Sequence, residues 1–264
     1  MIVERDGSLG RITLNRPAAR NPMDGETAAG IVGALRSHLA DPAVRSIVIT
    51  GSGDAFCAGG DLGEMSRLAG LSGSEAFDWP ASIVEAQKLM LTAGKPVIAA
   101  VNGPAFAGGM GLAGMCDIVL AVRTATFAMP EVRIGLFPMI IVAQLVRSLP
   151  RKQLLEMMLT GDPITAEQGL AMGFVNRVVE DGDGLEAAVQ EYARKFEKVS
   201  PTAIRLGRRA FNLMADVTAE QALEAAQFMN VPLFLGEDFR EGAAAFLEKR
   251  RPKWKDSATE RSES

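Results

Sequence analysis

Two stretches of this chain share one layout, which limits the fold more than any other feature. Residues 45–62 read RSIVITGSGDAFCAGGDL and residues 96–115 read PVIAAVNGPAFAGGMGLAGM. Each begins with a compact apolar run of strand length, crosses a glycine-rich loop and enters a helix. Each unit therefore sets backbone N–H groups at a helix start, close to the end of a strand. Such N–H groups lack intrahelical partners and sit at the positive end of the helix dipole. A chain that does this twice is α/β and has a place for an anion or a polarised oxygen.

The second stretch also contains Gly109-Met110-Gly111-Leu112-Ala113-Gly114, which spells G-x-G-x-x-G. In a dinucleotide fold that turn is followed by a full helix, a parallel strand and an acid at that strand's end. Glu131 stands 22 residues after Gly109, but DIVLAV begins at 117 and leaves room for only about two helical turns. The acid also comes well after that strand. The context argues against NAD. The other use of such loops is to hold one oxygen between two N–H donors, at Gly60 and Gly108. On the residues alone, tight turns and close helix packing account for the glycines equally well.

Around these units, strands are expected at 2–5, 11–15, 45–50, 96–101, 117–122 and 174–179. Helices are expected at 25–40, from about 62, at 81–93, 107–115, 141–149 and from 151, with a turn and a capped helix in TGDPITAEQGLAMG. From 185 onward the pattern is helical, with breaks at Ser200-Pro201 and Val231-Pro232, and the polar tail 257–264 reads as frayed. The expected division is a core of 1–199 carrying the site and a helical region of 200–264 that mediates oligomerisation.

Composition removes several functions. Charged residues are 23% and apolar ones 48%, which suits a folded chain, and a net charge of −4 argues against bulk attraction to nucleic acid. The segment 96–116 is uncharged, but two prolines, five glycines and Asn102 interrupt it, so no membrane span is expected. No signal peptide is visible at the start, and a cytoplasmic location is expected. Cys57 and Cys116 are the two cysteines and His38 the one histidine. His38 reads as a solvated helix end and Cys57 as a small buried side chain. Ser-His-Asp and Cys-His catalysis lack their parts, and no metal site is expected.

Several motifs together resemble the enoyl-CoA hydratase/isomerase, or crotonase, family over nearly the whole length: ITLNRPAARNPM, IVITGSGDAFCAGGDLGEM, KPVIAAVNGPAFAGGMGLAGMCDIVLA, FAMPEVRIGLFP, LTGDPITAEQGLAMGFVNRVV and FREGAAAFLEKRRPKW. The resemblance implies a crotonase-like spiral of ββα turns with a C-terminal helical region, assembled as a trimer or a dimer of trimers. It implies an acyl-CoA thioester as substrate and no separate cofactor. Its two oxyanion donors fall on the backbone N–H groups of Gly60 and Gly108. Ala58 falls at an adenine contact, Asp61 and Leu62 beside the substrate, and Phe246 and Lys249 at positions reaching the CoA moiety. The basic run 249–255 reads as a solvated helix end or a contact with CoA phosphates.

The family's hydratases usually carry two glutamates. The second falls on Glu131, while the first falls on Gly111, so that acid is missing. Isomerases of the family work with a single glutamate at the position of Glu131, since one carboxylate can take a proton from C2 and return it at C4. The resemblance thus implies double-bond isomerisation ahead of hydration, with a non-catalytic acyl-CoA binding protein as the alternative of another class. Asp61 reads as a helix cap and Glu64 as solvated. Where relatives carry small residues, 136–141 reads LFPMII; these side chains either reshape the acyl site or pack in the core.

Overall fold

A computed structural model describes residues 1–254, so the tail 257–264 lies outside the described residues. The strands are β1 (Ile2–Asp6), β2 (Leu9–Leu14), β3 (Ser46–Gly51), β4 (Val97–Val101), β5 (Ala105–Phe106), β6 (Ile118–Val122), β7 (Thr126–Ala128), β8 (Ile164–Thr165) and β9 (Arg177–Val179). The helices are α1 (Gly25–Ala40), α2 (Leu62–Met65), α3 (Gly73–Asp78), α4 (Ala81–Thr92), α5 (Gly108–Gly114), α6 (Met139–Ser148), α7 (Arg151–Thr160), α8 (Ala166–Ala171), α9 (Gly182–Glu197), α10 (Pro201–Met214), α11 (Ala219–Leu235) and α12 (Glu237–Leu247).

One sheet runs β1-β2-β3-β4-β6-β9 and a smaller one β5-β7-β8. Only β1 is antiparallel to its neighbour in the larger sheet. The chain gives β4 to the large sheet, β5 to the small one, then α5; it next gives β6, then β7, then α6. Successive large-sheet strands are also spatial neighbours, so the path winds forward as a spiral of ββα turns with helices after it. This is the crotonase-like fold. Its central strands are buried on both faces, which explains their unbroken apolar runs: every residue of VIAAV in β4 is buried.

Three local expectations are corrected. His38 is buried at 5% exposure, not solvated: its ring lies over Gly10, where an added Cβ would come within 2.7 Å of it. The expected break at Pro232 does not occur, since α11 runs through it and ends at Leu235. The strand expected at 174–179 is only Arg177–Val179.

Candidate functional site

The two glycine loops lie side by side where β3 and β4 end. The Cys57 N–H donates to the Pro104 carbonyl at 3.2 Å, and the Phe106 N–H donates to the Cys57 carbonyl at 2.9 Å. One contact of this seam requires glycine. Gly59 has φ +99°, and a Cβ there would sit 2.7 Å from the Ala107 Cβ.

The segment before α1 aims the Gly60 N–H. The Met23 N–H donates to the Gly59 carbonyl at 2.7 Å and the Asp61 N–H to the Met23 carbonyl at 3.0 Å. In a parallel bridge of this kind, the polar groups of the residue between, Gly60, face away from Met23. Gly108 is the first residue of α5, so its N–H has no intrahelical acceptor. Among the described residues, neither N–H has a protein acceptor. Ala107, just before, is held at φ 48° and ψ −121°, a conformation that L-residues rarely adopt and that costs about 1–3 kcal/mol.

Both glycines open onto a cavity of about 690 Å³ whose wall includes Ala58, Asp61, Leu62 and Glu131. Phe246 and Lys249 are exposed and do not line it. Of the expected site residues, the fold therefore brings six together and leaves the C-terminal two apart.

Glu131 stands in the first turn of the 3-10 helix Pro130–Ile134, directly after β7. Among the described residues, its Oε2 is buried without a hydrogen-bond partner. Burial raises its pKa above the usual carboxylate range, opposed only by a hydrogen bond from its own backbone. A carboxylate poised this way takes and returns a proton more readily near neutral pH than a solvated one does.

The other nearby acids are committed. The Asp61 carboxylate accepts from the Gly63 and Glu64 N–H groups at 3.0 and 3.2 Å, capping α2 as expected, and from Arg16 at 3.1 Å. These bonds, the Glu64 N–H first, hold its pKa below the ordinary range. Glu64 is not solvated: it is half-buried, and its carboxylate accepts from the Gly25 N–H at 3.0 Å. Arg16 also pairs with Asp24, the cap of α1, so the first glycine loop is tied to α1 from outside the cavity. Cys57 is fully buried, and burial pushes its thiol up to about 11, which removes it as a nucleophile at neutral pH.

Gly111 has a structural use that its motif does not reveal. A Cβ built on it would lie 2.8 Å from Cγ1 and 3.0 Å from Cγ2 of Ile141. One turn along each helix, a Cβ on Gly114 would lie 2.3 Å from a Leu145 methyl. Ile141 and Leu145 of α6 thus seat in a groove that the glycines of α5 open. Ile141 lines the cavity and Gly111 does not. The choice left open for the bulky run resolves both ways at once: Ile141 packs in the core and walls the site. Gly111→Ala is expected to cost about 1–3 kcal/mol by overpacking, read as a lower Tm, and Gly111→Glu more.

Sequence reasoning missed the residues that hold the loops. The buried Asn21 side chain donates to the Ser52 and Ala55 carbonyls at 2.9 and 2.8 Å, and that of Asn102 accepts from the Gly51 N–H at 3.1 Å. Asn before Pro and Asn directly after a buried strand were the available signals.

Residues 4–257 match the family model described as Enoyl-CoA hydratase/isomerase. The chain is 36% identical over 256 residues to a Rhizobium meliloti protein named "Probable enoyl-CoA hydratase", covering 97% of each. It is 34% identical over 259 residues to the 2,3-dehydroadipyl-CoA hydratase of Escherichia coli, covering 97% of this chain and 98% of that one. It superposes on the crystal structure of an enoyl-CoA hydratase from Mycobacterium smegmatis with a TM-score of 0.90 at 33% identity, covering 96% of this chain and 98% of the other.

Proposed function

The chain belongs to the enoyl-CoA hydratase/isomerase family, enzymes acting on acyl-CoA, and we propose that it shifts the double bond of a 3-enoyl-CoA to the 2-position with Glu131 as the single base. The observation that carries this reading is the pairing of one uncommitted carboxylate with an apolar wall. Glu131 and Asp61 are the acids of the cavity. Asp61 is spent on α2 and Arg16, and Ile141 fills the space over Gly111.

In this mechanism the thioester oxygen accepts from the Gly60 and Gly108 N–H groups, which stabilise the negative charge that builds there as C2 loses a proton. Glu131 takes that proton and returns it to C4, so no atom is gained or lost and no cofactor is consumed. Coenzyme A is part of the substrate. Asp61 and Leu62 flank the substrate, and Ala58 contacts its adenine. Large apolar side chains stay exposed along α10–α12, among them Phe211, Phe228 and Phe246. They support burial between copies of the chain, as a trimer or a dimer of trimers. Phe246 and Lys249, off the cavity wall in one chain, contact the CoA moiety in that assembly.

Hydration of a 2-enoyl-CoA is the second reading, favoured by the hydratase names of the relatives. Turnover of matched 2-enoyl- and 3-enoyl-CoA panels, with products identified by mass and NMR, separates the two. The expected result is 2-enoyl-CoA from 3-enoyl-CoA with little 3-hydroxyacyl-CoA. A higher kcat/KM for hydration than for isomerisation would replace the first reading with the second. In the described residues no helix is long and apolar enough to cross a membrane.

A further inference from the structure

We infer that Ile141 is a specificity-determining residue, whose side chain keeps water from the double bond and so selects a proton shift over water addition; this rests on the isomerase reading above. A nucleophilic water needs room and at least two polar partners to hold it. Ile141 removes the room. Its Cγ atoms occupy the space that any side chain at position 111 would require, and it forms the cavity wall there.

Ile141 is also held in place. It is 8% exposed, its χ1 is stiff through β-branching, and Leu145 anchors the next turn of α6 over Gly114. Beside it in sequence, Phe137, Pro138 and Ile140 continue the wall without a polar side chain. Among the described residues, Glu131 Oε2 and Trp79 Nε1 are buried without a hydrogen-bond partner, and Gln87 and Arg133 are further polar side chains of the lining. None comes from α5 or α6, the two helices that meet at Gly111. On that side Glu131 has no side chain with which to share a water, so carbons of the substrate, C2 and then C4, give and receive its proton.

Opening this wall lets the same carboxylate run the other reaction. Glu131 takes a proton from water, the water oxygen bonds to C3 of a 2-enoyl-CoA, and Glu131 returns the proton to C2. The water O–H bond and the C2=C3 π bond are broken, the C3–O and C2–H bonds are formed, and the enolate charge rests meanwhile on the oxygen at Gly60 and Gly108.

The test uses the full-length protein in 18O-labelled water. It measures the ratio of labelled 3-hydroxyacyl-CoA to isomerised enoyl-CoA for the parent, Ile141→Val, Ile141→Ala and Gln87→Leu. One missing methylene in a hydrophobic pocket is worth about tenfold or more in discrimination, and Ile141→Val removes one carbon and Ile141→Ala three. The ratio is therefore expected to rise by at least that factor in Ile141→Ala, and less in Ile141→Val, while Gln87→Leu leaves it unchanged. A folded Ile141→Ala with the parent's ratio overturns the inference. Should that variant fail to fold, an unchanged ratio in Ile141→Val overturns it. A ratio that falls in Gln87→Leu assigns water handling to Gln87 and overturns it as well. A parent that does not isomerise 3-enoyl-CoA refutes the underlying reading before any variant is made.

Discussion

Glu131→Gln lowers kcat for isomerisation by about 10²–10⁴-fold while the affinity for the acyl-CoA substrate stays close to that of the parent. The amide keeps the shape of the carboxylate but cannot accept a proton at neutral pH. Single-turnover kinetics measure the rate, and calorimetry with a saturated acyl-CoA measures binding. A variant that retains most of the rate would make Glu131 structural. Two pH effects accompany the loss. The base must be deprotonated, so kcat/KM of the parent rises with pH through a value above the ordinary glutamate range, because burial raises that pKa. For stability, the raised value means that the folded chain binds this proton more tightly than the unfolded chain does. The favourable contribution is complete below the unfolded pKa and is lost as pH rises through the folded one. Replacing the carboxyl by an amide should therefore raise Tm relative to the parent at neutral pH and less in acid, as measured by calorimetric scans at both.

The parts of this site that sequence reveals are those fixed by local chemistry. RSIVIT and PVIAAV read as buried strands because apolar β-rich runs of that length have few other uses, and β3 and β4 lie there. The glycine loops and Asp61 as a helix cap follow from backbone needs confined to a few residues. The paired loops offer Gly60 and Gly108 as donors, the resemblance to the family favours that use and adds Glu131, and the fold lines one cavity with all three. What stays hidden depends on distant pairs. His38 is buried because Gly10, 28 residues earlier, leaves space for its ring. Ile141 meets Gly111 across a helix interface, so a motif read along the chain registers an absent acid and cannot register what replaced it. β5 and β8 have two residues each, too short for alternation to show. Glu64 looked like a solvated helix residue because its partner, Gly25, lies 39 residues away. The positive φ at Ala107 has no signature at all, since alanine is not the residue such a conformation favours.

That last residue decides how the second large effect must be measured. Removing the Gly108 N–H requires proline, which suits the first position of a helix, where no intrahelical bond is lost. Proline also restricts the residue before it, and Ala107 already sits at φ 48° with its Cβ against Gly59. Gly108→Pro alone would mix the lost donor with a displaced loop. In an Ala107→Gly background the preceding residue keeps its angles without strain, and Ala107→Gly with Gly108 intact is the matched control. Relative to that control, the double variant is expected to lose about 2.7–4 kcal/mol of transition-state stabilisation, a fall in kcat of roughly 10²–10³-fold. Thermal unfolding should remain cooperative, and binding of a saturated acyl-CoA should change far less than the rate. The reason is that an oxygen carrying developing charge depends on the N–H more than a neutral carbonyl does. Equal losses in binding and in rate would mean that Gly108 holds the ground state only. An unchanged rate in a folded double variant would leave Gly60 as the sole donor and remove α5 from the chemistry.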